Sequence, residues 1–169
     1  GHRIAGIAPT LGSAREVCIE GETGLRRGNP RIRFKTNGTL FWPNGSRGQI
    51  FGTFTHEDIQ RMRGPQHCLT WCEEMATWRY LDAAWDQIRV GNRLGAHPRV
   101  IITSTPAPRK RLREIAAEAG TVVVWAKTSD NPHLPQAKRD ELQARYGGTR
   151  FGRQELDAED LDDVPGALW

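Results

Sequence analysis

Five residues, Cys68-Leu69-Thr70-Trp71-Cys72, run straight into two carboxylates, Glu73 and Glu74. A short, mostly apolar run of this kind suits a strand buried in a parallel sheet. The acids then fall at its carboxyl end, the edge where open α/β sheets place their ligands. In a nucleotide-hydrolysing sheet, such a strand end supplies one acid for the Mg2+ shell and one to orient the attacking water. The plainer alternative is a core strand that runs out into a solvated acidic loop. The rest of the chain has to decide between them.

The flanking sequence predicts more strands and helices. Residues 3–8 (Arg-Ile-Ala-Gly-Ile-Ala) read as a buried strand closed by Pro9-Thr10. A chain that begins inside a sheet is expected to be a fragment lacking its first part. Residues 12–20 suit a helix capped by Ser13, with Ala14, Val17 and Cys18 on one face. Ile32 and Phe34 alternate with Arg31, Arg33 and Lys35, which predicts a strand with one apolar and one basic face. The Asn37-Gly38 and Asn44-Gly45 pairs are hairpin-turn signals. They predict an antiparallel meander over 31–36, 39–42 and 47–54. Its basic face suits contact with nucleic acid, or it is simply a solvated strand face.

Residues 55–58 read as a short helical cap, followed by Arg61-Met-Arg63-Gly-Pro65, a loop from which an arginine can reach a phosphate or serve as surface charge. Beyond the acids, Leu81, Ala84, Trp85 and Ile88 recur at helical spacing, so 78–90 should bury one face. The heptad spacing of Trp71, Trp78 and Trp85 reads as core packing. Arg99–Ile102 is a second buried strand, ending in Thr103-Ser104-Thr105-Pro106. Hydroxyls there suit a phosphate, a water or ordinary turn capping. A helix over 108–119 should turn Leu112, Ile115, Ala116 and Ala119 inward, with Gly120 stopping it. Residues 121–125 (Thr-Val-Val-Val-Trp) predict a third strand, and 135–146 a helix ended by Gly147-Gly148. Alternation of strands and helices across 66–146 indicates an α/β fold with parallel βαβ units. The acid pair and the hydroxyl turn then share one edge of the sheet.

Composition narrows the class. The 169 residues suit one domain with a real core. No apolar stretch reaches membrane-span length, and Gly1-His2-Arg3 does not open a signal peptide. Three cysteines without a framework fit a reducing cytosol. Cys68 and Cys72 lack a second ligand pair at metal spacing, so no zinc site is expected. Residues 1–150 hold 23 Lys and Arg against 14 Asp and Glu, net +9, whereas 151–169 hold one Arg against six acids, net −5. Twenty of the 24 basic residues are Arg, which suits phosphate contacts or reflects a GC-rich genome.

An ordered series then carries a resemblance. It runs Trp42-Pro-Asn-Gly-Ser46, Arg63-Gly-Pro-Gln-His67, the strand ending Glu73-Glu74 with Trp78 after it, Arg93-Leu-Gly95 and Thr103-Ser-Thr-Pro106. It ends in Tyr146-Gly-Gly-Thr-Arg150-Phe-Gly-Arg-Gln-Glu155-Leu-Asp157 and Pro165-Gly-Ala-Leu-Trp169. In this order the series resembles the ATPase domain of phage terminase large subunits, the motors that package viral DNA.

The resemblance implies a partial three-layer RecA-like P-loop NTPase sheet, with the antiparallel β-meander near the N-terminus. It implies ATP and Mg2+ as cofactors. Glu73 would hold the ion through water, and Glu74 would polarise the hydrolytic water. The family usually has Asp-Glu here, so Glu73 is one methylene longer. Thr103, Ser104 and Thr105 would couple hydrolysis to movement, and Arg63 would be offered to a neighbouring subunit's nucleotide. Arg31, Arg33 and Lys35 are the DNA-binding candidates. The implied partners are double-stranded DNA, a portal protein, a small terminase subunit and further copies in a homo-oligomeric ring, all in the host bacterial cytoplasm. No Gly-Lys-Ser/Thr occurs in the chain. The phosphate-cradling loop is therefore expected upstream of Gly1, and 154–169 is expected to be an acidic exit segment toward a nuclease domain. Taken alone the chain is expected not to hydrolyse ATP. A helicase-like motor and a non-enzymatic nucleic-acid-binding module are the other readings.

Overall fold

The computed structural model describes residues 1–161 and divides into two compact units, Gly1–Ser104 and Thr105 onward. The first unit holds a six-stranded mixed sheet. Strand β1 (Arg3–Ile7) leads to a single turn α1 (Leu11–Ser13), which continues as a π-helix (Ala14–Glu20) and then α2 (Leu25–Gly28). Strands β2 (Arg33–Phe34), β3 (Thr39–Phe41) and β4 (Arg47–Phe51) follow. Next come α3 (His56–Arg61), β5 (Leu69–Cys72), a 3-10 turn (Met75–Thr77), α4 (Leu81–Gly91) and β6 (Arg99–Ile102). The spatial order is β2-β3-β4-β1-β5-β6. Strands β4, β1, β5 and β6 pair in parallel, and β2-β3-β4 is the antiparallel meander. The α/β class, the parallel β5-α4-β6 unit and the meander are therefore as the sequence predicts, whereas the parallel units do not extend on to residue 146.

Alternation sorts the side chains onto two faces. On one, Leu40, Ile50 and Trp71 pack with Ala14, Cys18 and Ile19 of the π-helix. On the other, Ala5, Ile7, Thr70 and Cys72 are buried. That face takes the inner side of α4, where Leu81, Ala84, Trp85 and Ile88 are all buried, as their spacing predicts. The Thr70 hydroxyl donates to the Asn92 side chain just past α4, 3.2 Å away.

Several local expectations change. The helix over 12–20 is capped by Thr10, with Ser13 as its reciprocal partner. Its buried residues, Ala14, Cys18 and Ile19, recur at i, i+4 and i+5, the spacing of a wider π turn, so Val17 faces solvent. The second unit contains α5 (Lys110–Ala117), a 3-10 turn (Thr128–Asp130), α6 (Gln136–Tyr146) and α7 (Arg150–Glu155). Helix α5 buries Ile115 alone, and Ala116 and Ala119 are exposed. Residues 121–125 form no strand, and Val122 (87%) and Val124 (84%) are open to solvent. A β-branched run adopts strand structure by pairing its backbone, and among the described residues 121–125 is in no strand pair. The Pro165–Trp169 close lies outside the described residues, and so does the end of the expected exit segment.

Candidate active site

Register brings the acid pair and the hydroxyl turn together. Cys72 pairs with Ile102 in the parallel β5-β6 ladder, so Glu73 and Thr103 leave the sheet side by side. The backbone locks them there. Thr103 N–H donates to the Cys72 carbonyl (2.9 Å), Met75 N–H to the Thr103 carbonyl (3.2 Å) and Glu73 N–H to the Ile7 carbonyl (2.7 Å). The Thr103 hydroxyl donates to Glu73 Oε2 and accepts from Trp71 Nε1 at 3.4 Å. A hydroxyl has one proton and two lone pairs, so this relay uses it in both directions. It aims the Glu73 carboxylate along the β6 side of the sheet edge. Trp78, fully buried, donates its indole N–H to the Glu73 carbonyl at 2.9 Å.

Glu74 ends the extended run. Its backbone sits at φ 49°, ψ 48°, the left-handed region that side-chain-bearing residues rarely adopt. Its carbonyl accepts from the Thr77 N–H (3.0 Å) and hydroxyl (2.8 Å), which holds the turn closed. Adjacent strand residues point to opposite faces, but this turn falls after the strand has ended. Both acids can therefore lie at one edge. Glu73 and Glu74 are each half-buried.

The hydroxyls divide their labour. Ser104 Oγ accepts from Ala76 N–H at 3.0 Å, pinning the acid-bearing turn to the end of β6. Thr105 belongs to the second unit, where its hydroxyl bonds Glu155 Oε2 at 3.4 Å. Thr103 thus bonds an acid directly and Ser104 bonds the turn that follows the acids, whereas the Thr105 hydroxyl reaches Glu155 within the second unit.

Arg63 lies elsewhere. It follows α3 and lines a pocket of about 190 Å³ with Gln87, Gly91 and Arg93. His67 N–H donates to the Gly91 carbonyl, so this pocket lies beside the amino end of β5, the end opposite Glu73. Arg31, Arg33 and Lys35 are exposed on the meander.

Sequence reasoning missed the site's surroundings. Cys18, on the π-helix, has its thiol pushed up to about 12, first by burial and then by the negative charge of Glu73. Burial raises the Cys72 thiol as well. Both stay protonated and act as small apolar groups. Nothing in the local sequence marks Cys18, because its neighbour is 55 positions away in the chain. Among the described residues no cluster of three or more His, Cys, Asp or Glu could hold a metal ion. The donor set, one carboxylate with a hydroxyl and a second acid next to it, nevertheless fits a hydrated Mg2+. That ion keeps several waters and needs only one or two protein carboxylates beside substrate phosphates.

Comparison with known proteins gives a consistent picture. A family model described as "Terminase large subunit, T4likevirus-type, N-terminal" matches residues 2–169. No curated protein sequence matches. The large terminase of a thermophilic bacteriophage superposes with a TM-score of 0.75 at 14% identity, covering 92% of this chain and 40% of that one. The same terminase in complex with ADP gives 0.75 at 15% identity, covering 95% and 41%. The large terminase ATPase domain of a Thermus phage gives 0.57 at 16% identity, covering 95% and 77%. At these identities the likeness is one of fold. The chain spans about 40% of the length of the first terminase it matches.

Proposed function

This chain belongs to the terminase large-subunit family, T4-like type, and on that premise we propose that it is part of the ATP-hydrolysing motor that drives double-stranded DNA into a procapsid. The observation that carries the reading is the bond from the Thr103 hydroxyl to the Glu73 carboxylate. It ties the acid-bearing strand end to the hydroxyl-bearing end of the next parallel strand, at the ligand-binding edge of an α/β sheet.

The residues take distinct roles. Glu73, oriented by Thr103, would hold a hydrated Mg2+. That ion, when bound, neutralises charge on the nucleotide phosphates. Glu74, carried on the turn that its strained backbone creates, accepts a proton from the attacking water or orients it. Thr103 and Ser104 connect this acid turn to β6, so a change at the acids is felt at the end of that strand. Thr105 extends the same motif into the second unit. Arg63, at the far end of β5, serves a neighbouring subunit's nucleotide in a homo-oligomeric ring, where a cation stabilises developing phosphoryl charge. Portal protein and small terminase subunit are the other partners, in the cytoplasm of a bacterial host. Among the described residues no helix is long and apolar enough to cross a membrane. The 169-residue chain alone has no Gly-Lys-Ser/Thr loop to cradle phosphates and is inactive by itself.

The test uses the full-length protein with procapsids and portal. ATP-dependent uptake of duplex DNA without strand separation is the expected result. Duplex unwinding in place of uptake would contradict this reading and favour a helicase-like motor.

A further inference from the structure

The strand register lines up basic side chains that lie far apart in sequence. Arg33 of β2 stands opposite Phe41 of β3, Phe41 opposite Arg47 of β4, and Arg47 opposite Arg3 of β1. At about 4.8 Å per strand the row is about 14 Å long. Lys35, two residues beyond Arg33, lies on the same face. Arg33, Lys35 and Arg47 gather over the Phe41 ring, with their charges 5.7, 5.2 and 5.6 Å from its centroid. Three cations therefore cluster about one aromatic ring. Arg3, Arg33, Lys35 and Arg47 are all exposed, and none has a carboxylate partner among the described residues. The second unit differs, since Arg113 is clamped by Asp160 and Arg153 by Glu159. Between Glu22 and Glu57 the chain has six Arg and Lys and no acid at all.

We propose that this row, Arg33-Phe41-Arg47-Arg3 with Lys35 beside it, is a binding surface for the phosphate backbone of duplex DNA, set at the amino end of the parallel strands and away from the Glu73 edge. The choice of duplex DNA as the polyanion rests on the packaging function proposed above; the surface itself does not. Three features favour a sugar-phosphate backbone. Arginine forks match phosphate oxygens. Three cations lie within cation–π reach of the Phe41 ring and compete with a base for it. The row contains one large apolar side chain, whereas a protein partner needs an apolar interface core. The surface adds Arg47, Arg3 and Phe41 to the residues that strand alternation alone singles out, and it leaves out Arg31.

Equilibrium binding of a fluorescent duplex of about 30 base pairs to the 169-residue chain, without nucleotide and between about 50 and 200 mM salt, tests it. Replacing Arg33, Lys35 and Arg47 by Ala together should flatten the log–log salt dependence by about two to three units, since each phosphate contact contributes about 0.9. A charge-matched control, Lys110→Ala with Lys138→Ala and Arg145→Ala, should change it by less than about one unit. Arg33→Lys with Arg47→Lys should retain binding. If the triple variant fails to melt at the wild-type temperature, the single Arg33→Glu change at the edge strand carries the same expectation of weakened binding. A triple or Arg33→Glu variant that binds like the control overturns the proposal. Displacement of the duplex by polyglutamate at lower charge concentration than by unlabelled duplex also overturns it, in favour of an acidic protein partner. Because no nucleotide is present, loss of packaging with this binding intact would count against the motor reading alone.

Discussion

Glu74 pays for its position in backbone strain: at φ 49° a residue with a Cβ loses about 1–2 kcal/mol relative to the right-handed region. Glycine lacks that penalty, although it carries more chain entropy when unfolded. Glu74→Gly is therefore expected to raise stability by about 0.5–1 kcal/mol, read as a higher urea midpoint with an unchanged slope. An equal or lower midpoint would mean that the Glu74 side chain stabilises the fold and not only the chemistry. Strain held by an acid at a strand end is the stability–activity trade-off expected at a working site. His67 gives a second residue-scale handle. Its ring is buried and meets Phe51 edge-on, 6.0 Å between centroids, and desolvation holds its pKa below the ordinary 6.5. The unfolded chain thus binds a proton more readily than the folded one, so stability is full above pH 6.5 and falls as pH drops through the folded-state pKa. His67→Gln should flatten the urea midpoint over that window. An unchanged slope would place the pH dependence on other groups.

At the scale of elements, what was legible depended on whether the signal was local. Leu81, Ala84, Trp85 and Ile88 announced α4 because a helix buries its own periodic face. The Asn-Gly pairs announced the meander because the turn chemistry is carried by adjacent residues. Glu73 and Thr103 were legible as two strand ends, but the bond between them comes from the β5-β6 register. The row through Arg3 and Arg47 arises likewise from the β1-β4 register. The run 121–125 shows the converse. Its composition is that of a strand, yet strand structure needs a partner backbone, and its side chains remain exposed. An unpaired, uncharged β-branched run with Trp125 beside it is an aggregation hazard. Val123→Lys is expected to raise the concentration at which the 169-residue chain stays monomeric in sedimentation, with an unchanged circular-dichroism spectrum. Loss of the folded spectrum would mean that Val123 packs in a way its exposure does not disclose.

Across the whole first unit, the parallel strands give the sheet a chemical direction. Arg3, Arg47 and Arg99 stand at the amino ends of β1, β4 and β6, and Arg63 and Arg93 lie beside the amino end of β5. The carboxyl ends carry Glu73 and Glu74, with Thr103 and Ser104 bonded around them. Such a division suits a subunit that works on nucleotide at one edge and offers cations at the other, to DNA and to a neighbouring subunit. On the function proposed above, ATP is cleaved at the carboxyl edge. The most direct test is ATP turnover by the full-length protein bearing Glu74→Gln, measured alongside nucleotide binding. Turnover is expected to fall by at least about 100-fold, the usual range for removing a general base, with binding retained. Turnover above about a tenth of wild type would contradict it and move the catalytic acid away from this strand end.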